Sequence, residues 1–107
     1  MKIYKGMRTK DGAVVTVGIF GGVLTKALPL RLDLVNHSPT GFEWGYGGSG
    51  PAQLALAILA DALADDRRAD KLHQRFKFAK IGGLDSDEWT MTQEEVLTAV
   101  RKIEEAA

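Results

Sequence analysis

Between Gly41 and Leu63 the chain changes its hydrophobic period, and that change constrains the fold more than any other stretch. Phe42, Trp44 and Tyr46 alternate with other residues, as a half-buried strand would. The alternation runs into a glycine loop, Gly45-Tyr46-Gly47-Gly48-Ser49-Gly50. Pro51 follows, where a helix start accepts proline because the missing N–H has no intrahelical partner. Leu54, Leu56, Ile58, Leu59 and Leu63, with alanines between them, then make a helix apolar on nearly every side. Such a helix must be wrapped by other elements, so it is expected at the centre of the fold. Strand, glycine turn and helix start can together offer several backbone N–H groups to an anion. The same arrangement serves a tight turn that needs positive φ and close strand–helix packing. The residues alone leave both readings open.

The residues before this run read as strands. Residues 2–8 make a first strand, Thr9-Lys10-Asp11-Gly12 its turn, and the β-branched residues 13–19 the partner. Phe20-Gly21-Gly22-Val23 is expected to turn the chain again. Leu28, Leu30, Leu32 and Leu34 alternate with Pro29, Arg31 and Asp33, which predicts a third strand, with Pro29 at an edge or first rung. The turn cluster Asn36-His37-Ser38-Pro39-Thr40-Gly41 leads to a fourth strand at 42–46.

After Pro51 the period is helical. A second helix is expected near 67–79, with Leu72, Phe76 and Ala79 on one face and Gly82-Gly83 as its stop. A third starts at the capping box Thr92-x-x-Glu95, with Met91 and Val96 as its hydrophobic staple and Val96, Val100 and Ile103 as its buried stripe. Strands first and helices after give an α+β class: a small antiparallel sheet of about four strands from the N-terminal half, packed by about three helices from the C-terminal half. At 107 residues the chain is expected to form one domain over 1–107.

Composition narrows the function. There is no cysteine, which removes disulfides, thiolate catalysis and cysteine-ligated metals together. No apolar run approaches the roughly 20 residues that span a bilayer, and no signal-peptide pattern opens the chain. A cytoplasmic protein with no membrane partner is expected. Net charge is zero, with six Lys/Arg against three Asp/Glu in residues 1–50 and eight against eleven in 51–107. The chain thus lacks the general basic excess of a non-specific nucleic-acid binder, although a local basic stripe is present.

The glycine loop matches G-x-G-x-x-G at Gly45, Gly47 and Gly50, but no parallel strand and no terminal acidic residue follow, so a dinucleotide fold is disfavoured. It also lacks the Gly-Lys-Ser/Thr of a P-loop, and the nucleophile elbow fails because Pro51 stands where glycine is needed after Ser49. No cofactor motif is complete and no metal pattern includes His37 or His73, so no cofactor and no metal are expected, and no residue is assigned a catalytic role. The candidate ligand-binding residues are Tyr46, Gly47, Gly48, Ser49 and Gly50 of the loop, with His37 and Glu43 beside it. His37 near Asp33 and Glu43 is a candidate base whose geometry must decide. Arg68, Lys71 and Arg75 recur at helical spacing opposite Leu72 and Phe76, with Lys77 and Lys80 nearby. A solvated outer face is the ordinary reading of that stripe, and a macromolecular partner is the sharper one.

The block LPLRLDLVNHSPTGFEWGYGGSGPAQLALAILADAL, with the later HQRFKF and Trp89-Thr90-Met91-Thr92-Gln93-Glu94-Glu95, resembles a domain-of-unknown-function family of small bacterial proteins, often encoded near plasmids, phages or other mobile elements. The resemblance covers nearly the whole chain and implies no activity and no catalytic residues. It implies an accessory role on a mobile element, a setting in which inhibitors of host defence are common. The expected function is a non-catalytic binding protein that occupies a macromolecule or sequesters a ligand. The alternative is a small nucleotide- or phosphate-binding domain or enzyme built on the loop from Gly45 to Pro51. Candidate partners are a protein, a phosphate-bearing ligand, a nucleic-acid backbone and a second copy of the chain through an uncovered sheet edge.

Overall fold

The computed structural model describes residues 1–19, 21, 22 and 24–106. Its elements run β1 (Lys2–Thr9), β2 (Gly12–Ile19), β3 (Thr25–Ala27), α1 (Ser49–Leu63), α2 (Asp66–Phe76), a π-helical turn (Lys77–Ile81), β4 (Glu88–Thr92) and α3 (Gln93–Ala106). The class is α+β, with a four-stranded antiparallel sheet in the order β3-β2-β1-β4. The β1–β2 hairpin turns where Asp11-Gly12 predicts it, with Thr9 opposite Gly12 in register. Gly12 takes φ +118°, a conformation that favours glycine. Of the turn expected at 20–23, Phe20 and Val23 lie outside the described residues, while Gly22 donates to the Ile19 carbonyl at 2.9 Å.

Alternate residues of the sheet, Tyr4, Val15, Val17, Trp89 and Met91, point inward and are buried, whereas Lys5, Met7, Val14 and Thr90 face out. Trp89 lies across the strands on Gly6, its partner in register, so closely that any Cβ there would enter the indole ring. Helix α1 is buried along nearly its whole length, from Gly50 to Ala60, as its apolar sequence requires. It is tied to the sheet by the Tyr4 phenol, which donates to Asp61 at 2.7 Å, with Lys2 on the same carboxylate. Burial and that bond push the Tyr4 phenol far above its ordinary pKa.

Two of the expected strands are not strands. The leucine alternation at 28–34 ends at Arg31, whose φ of +59° turns the chain, and the Leu34 N–H closes back on the Arg31 carbonyl at 3.0 Å. The guanidinium of Arg31 bonds both Asp33 and Asp66, which fixes that bend. Leu28 is buried, but Leu32 is 37% exposed. Among the described residues, 42–46 likewise pair with no strand; Phe42 and Trp44 are buried as the aromatic alternation predicts, but Tyr46, on the same face by that pattern, is exposed in the glycine loop. The places in the sheet are taken by β3 and by β4, which joins β1 from beyond the second helix.

The second helix also departs from expectation at its end. After Phe76 the turn widens to the π form, with the Gly82 N–H on the Lys77 carbonyl at 2.8 Å. Lys77 is still buried one α-helical turn after His73; the extra residue that follows rotates the register, so Ile81 turns inward while Phe78, Ala79 and Lys80 are exposed. Ala79 is therefore not on the buried face with Leu72 and Phe76. The third helix starts as predicted: Thr92 and Glu95 exchange backbone N–H bonds to each other's side chains at 3.2 and 3.1 Å. Met91, Val96 and Val100 are buried, and Ile103 packs against the core.

Candidate functional site

The segment from Leu28 to Gly48 has no regular structure, and one side chain organises its middle. Gln53 is the polar residue of the otherwise apolar second turn of α1, and it is fully buried. Its amide N–H groups donate to the carbonyls of Leu30 at 2.6 Å and Val35 at 3.1 Å. Its oxygen accepts the backbone N–H groups of His37 at 2.8 Å and Ser38 at 3.0 Å. Two donors and two lone pairs are thus all used, on backbone that has no strand to pair with.

Pinned in this way, the His37 ring meets His73 of α2, with Nε2 to Nε2 at 2.9 Å. Nδ1 of His73 stands 2.6 Å from the Asp70 carbonyl, which can only accept, so His73 carries its proton on Nδ1. Its Nε2 is then the acceptor, and His37 donates from Nε2–H. Burial, followed by His73 and Lys77, pushes the His37 imidazole below its ordinary pKa, against a smaller upward pull from Asp70. Among the described residues no third His, Cys, Asp or Glu joins the pair in a metal-holding group.

Lys77 follows His73 by one helical turn and is only 7% exposed. Its ammonium donates to the Gly47 carbonyl at 3.1 Å and stands 4.4 Å from the centre of the Phe78 ring. Among the described residues no carboxylate pairs with it. The glycine loop lies against this ammonium. Gly45, at φ +88°, sets the bend of the loop and donates to the Ile81 carbonyl at 3.1 Å. Gly48 caps α1 with no side-chain bond, and the first turn of the helix has no acidic residue. Among the described residues the N–H groups from Tyr46 to Gly50 donate to no protein acceptor. Gly50 is required for space, since a Cβ there would come within 2.8 Å of Cβ of Glu43.

The loop, His37, His73 and Lys77 therefore converge on the start of α1. Glu43 is beside them but committed elsewhere: Arg8 bonds its carboxylate at 3.0 and 3.1 Å. Asp33 is paired with Arg31, whose guanidinium lowers its pKa. Neither carboxylate reaches His37, so the candidate base has no acidic partner of the kind expected. Tyr46 is 52% exposed over Gly48, and Ser49 is exposed at the first helical position. Arg68, Lys71 and Arg75 lie away from this cluster, toward α3. Arg68 is bonded to Glu104 through Nε at 3.0 Å, while Lys71 and Arg75 are exposed.

The sequence did not single out Gln53, His73 or Lys77 for this site. A lone amide in an apolar helix was a readable signal, as was the i, i+4 spacing of His73 and Lys77. The inward turn of Ile81 was not, because it depends on the wide turn that follows Lys77.

A family model matches residues 4–102, nearly the whole chain. The chain belongs to DUF6166, a family of unknown function. The span shared with DUF6166 contains the glycine loop, Gln53, both histidines and Lys77. No curated protein and no solved structure matches the chain. Among the described residues no helix is long and apolar enough to cross a membrane.

Proposed function

We propose that this chain is a non-catalytic binding protein that captures an anionic, phosphate-type group at the glycine-loop end of α1. The observation that carries the reading is Lys77, a buried lysine whose ammonium has a neutral carbonyl as its hydrogen-bond partner. A charge held largely out of water without a counter-ion is unfavourable. A bound anion would supply that counter-ion. Beside Lys77, the N–H groups at the helix start and the hydroxyl of Ser49 provide donors for its oxygens.

The ligand in this reading is a small phosphate-bearing molecule or the same group carried on a macromolecule. Lys71 and Arg75, exposed on α2, are the surface proposed for a larger partner. The accessory role on a bacterial mobile element, such as inhibition of a host defence system, rests on the resemblance of the sequence, and such a protein would act by sequestering its ligand.

The test is calorimetric titration of the protein with inorganic phosphate, sulfate and a nucleoside monophosphate, repeated on Lys77→Met. The wild type should bind at least one of them, and Lys77→Met should lose that binding with an unchanged or higher melting temperature, because the buried charge is gone. Equal binding by both proteins, or no binding of any of the three by the wild type, would overturn the proposal.

A further inference from the structure

We propose that anion capture at this site is coupled to proton uptake by His37, which makes a dianion with tetrahedral oxygens, a phosphate monoester or sulfate-type group, the preferred ligand class. The inference rests on the reading of Lys77 and the glycine loop as an anion site.

The order of hydrogen bonds selects His37 over its partner. The Asp70 carbonyl fixes the proton of His73 on Nδ1, and the lone pair of His73 Nε2 is used by His37. A second proton on His73 would have to enter between the two rings and break their bond. His37 differs. Its Nδ1 is the remaining lone pair of the couple, and among the described residues it has no protein partner. A proton added there leaves every existing hydrogen bond in place.

The surroundings set what that proton costs. The titratable groups acting on His37 are His73 and Asp70 of α2 and Lys77 of the π turn. Burial, His73 and Lys77 all oppose a charge on His37, and only Asp70 favours one. Without ligand, a charge on His37 is therefore disfavoured beside the Lys77 ammonium. A monoanion would compensate Lys77 and leave nothing over. A dianion leaves one negative charge unmatched, and His37 is the group positioned to match it by taking a proton. Binding and protonation then reinforce each other, and the reinforcement is reciprocal.

Sulfate is the suitable probe, because it carries two charges across the working pH range and any proton taken up belongs to the protein. Titrations near pH 6.5, the ordinary imidazole value, in buffers of different ionisation enthalpy give the protons absorbed per sulfate. The wild type should absorb a substantial fraction of one proton, and its sulfate affinity should fall about tenfold per pH unit above the His37 transition. His37→Gln and His37→Asn should bind sulfate with no proton uptake and a flat pH profile. Acetate, a monoanion, should draw no proton into the wild type. Sulfate binding by the wild type without proton uptake would overturn the coupling and leave the anion site standing. An absence of sulfate binding would overturn this inference, and the anion site falls with it when phosphate and the nucleoside monophosphate also fail to bind.

Discussion

The side-chain oxygen of Gln53 accepts the backbone N–H of His37 at 2.8 Å, so a helix residue decides where a loop imidazole stands. The loop has no sheet to order it. Its carbonyls at Leu30 and Val35 and its N–H groups at His37 and Ser38 are satisfied by this one amide.

Removing the amide should therefore unfold more than a local contact. Gln53→Leu has a similar volume but leaves four backbone groups without partners, each costing about 1–3 kcal/mol where water does not reach. We expect a loss of at least about 3 kcal/mol in urea unfolding. A loss below about 1 kcal/mol would mean that water replaces the amide and that the loop is not held from α1.

Two glycines should separate structure from site. Gly6→Ala drives a methyl into the buried Trp89 ring and should cost about 1–3 kcal/mol by overpacking. Gly48→Ala meets the Tyr46 ring, which is half in solvent and can swing away. Its cost should be about 1 kcal/mol or less, near that of an ordinary cap exchange. Its larger effect should be on phosphate affinity, read by the same titration as for Lys77→Met.

The ligand-free protein should lose stability as the pH falls through the imidazole range. His37 has a folded pKa below its unfolded value of about 6.5, so the unfolded chain binds the proton first. Its contribution is complete above about pH 6.5 and shrinks as the pH drops toward the folded value. Urea unfolding in chloride buffer at stepped pH should show this decline, and His37→Gln should flatten it. An identical decline in the variant would assign the effect to other groups.

Arg68 should behave as a link between helices. Hydrogen bonding to Arg68 lowers the pKa of Glu104, with Lys71 and Arg75 adding smaller effects. Arg68→Glu should lower the melting temperature, Glu104→Arg in the same chain should restore it, and added salt should shrink the difference. No change on reversal would show that the pair is solvated apart. Lys71→Glu with Arg75→Glu is thus the cleaner probe of a partner surface, because neither residue makes a side-chain bond within the described chain.

Local chemistry was readable where one residue type dictates one geometry. Asp11-Gly12 gave the hairpin, Thr92 and Glu95 the start of α3, and the apolar run after Pro51 the central helix. The reading failed where a distant residue overrides a local pattern. The leucines at 28–34 alternate as a strand would, but Arg31 reaches Asp66 and Gln53 captures the carbonyl of Leu30, and neither partner is near in sequence. β4 is short and its neighbour β1 lies far back in the chain, so nothing local announces it. At the site, the glycine loop was visible as a motif. The two histidines are 36 residues apart, and only the fold makes them one unit.

The pairing of Ile3 with Thr92 has a consequence for how the molecule is made. The β1–β2 hairpin is synthesised ahead of α1, yet the strand that covers its other side is synthesised only after both α1 and α2. Through that interval Gly6 waits for the indole that will cover it, and a row of backbone donors and acceptors on β1 stands open to any extended segment nearby. The vulnerable moment of this protein therefore lies in its birth, before Glu88–Thr92 arrives to close the sheet.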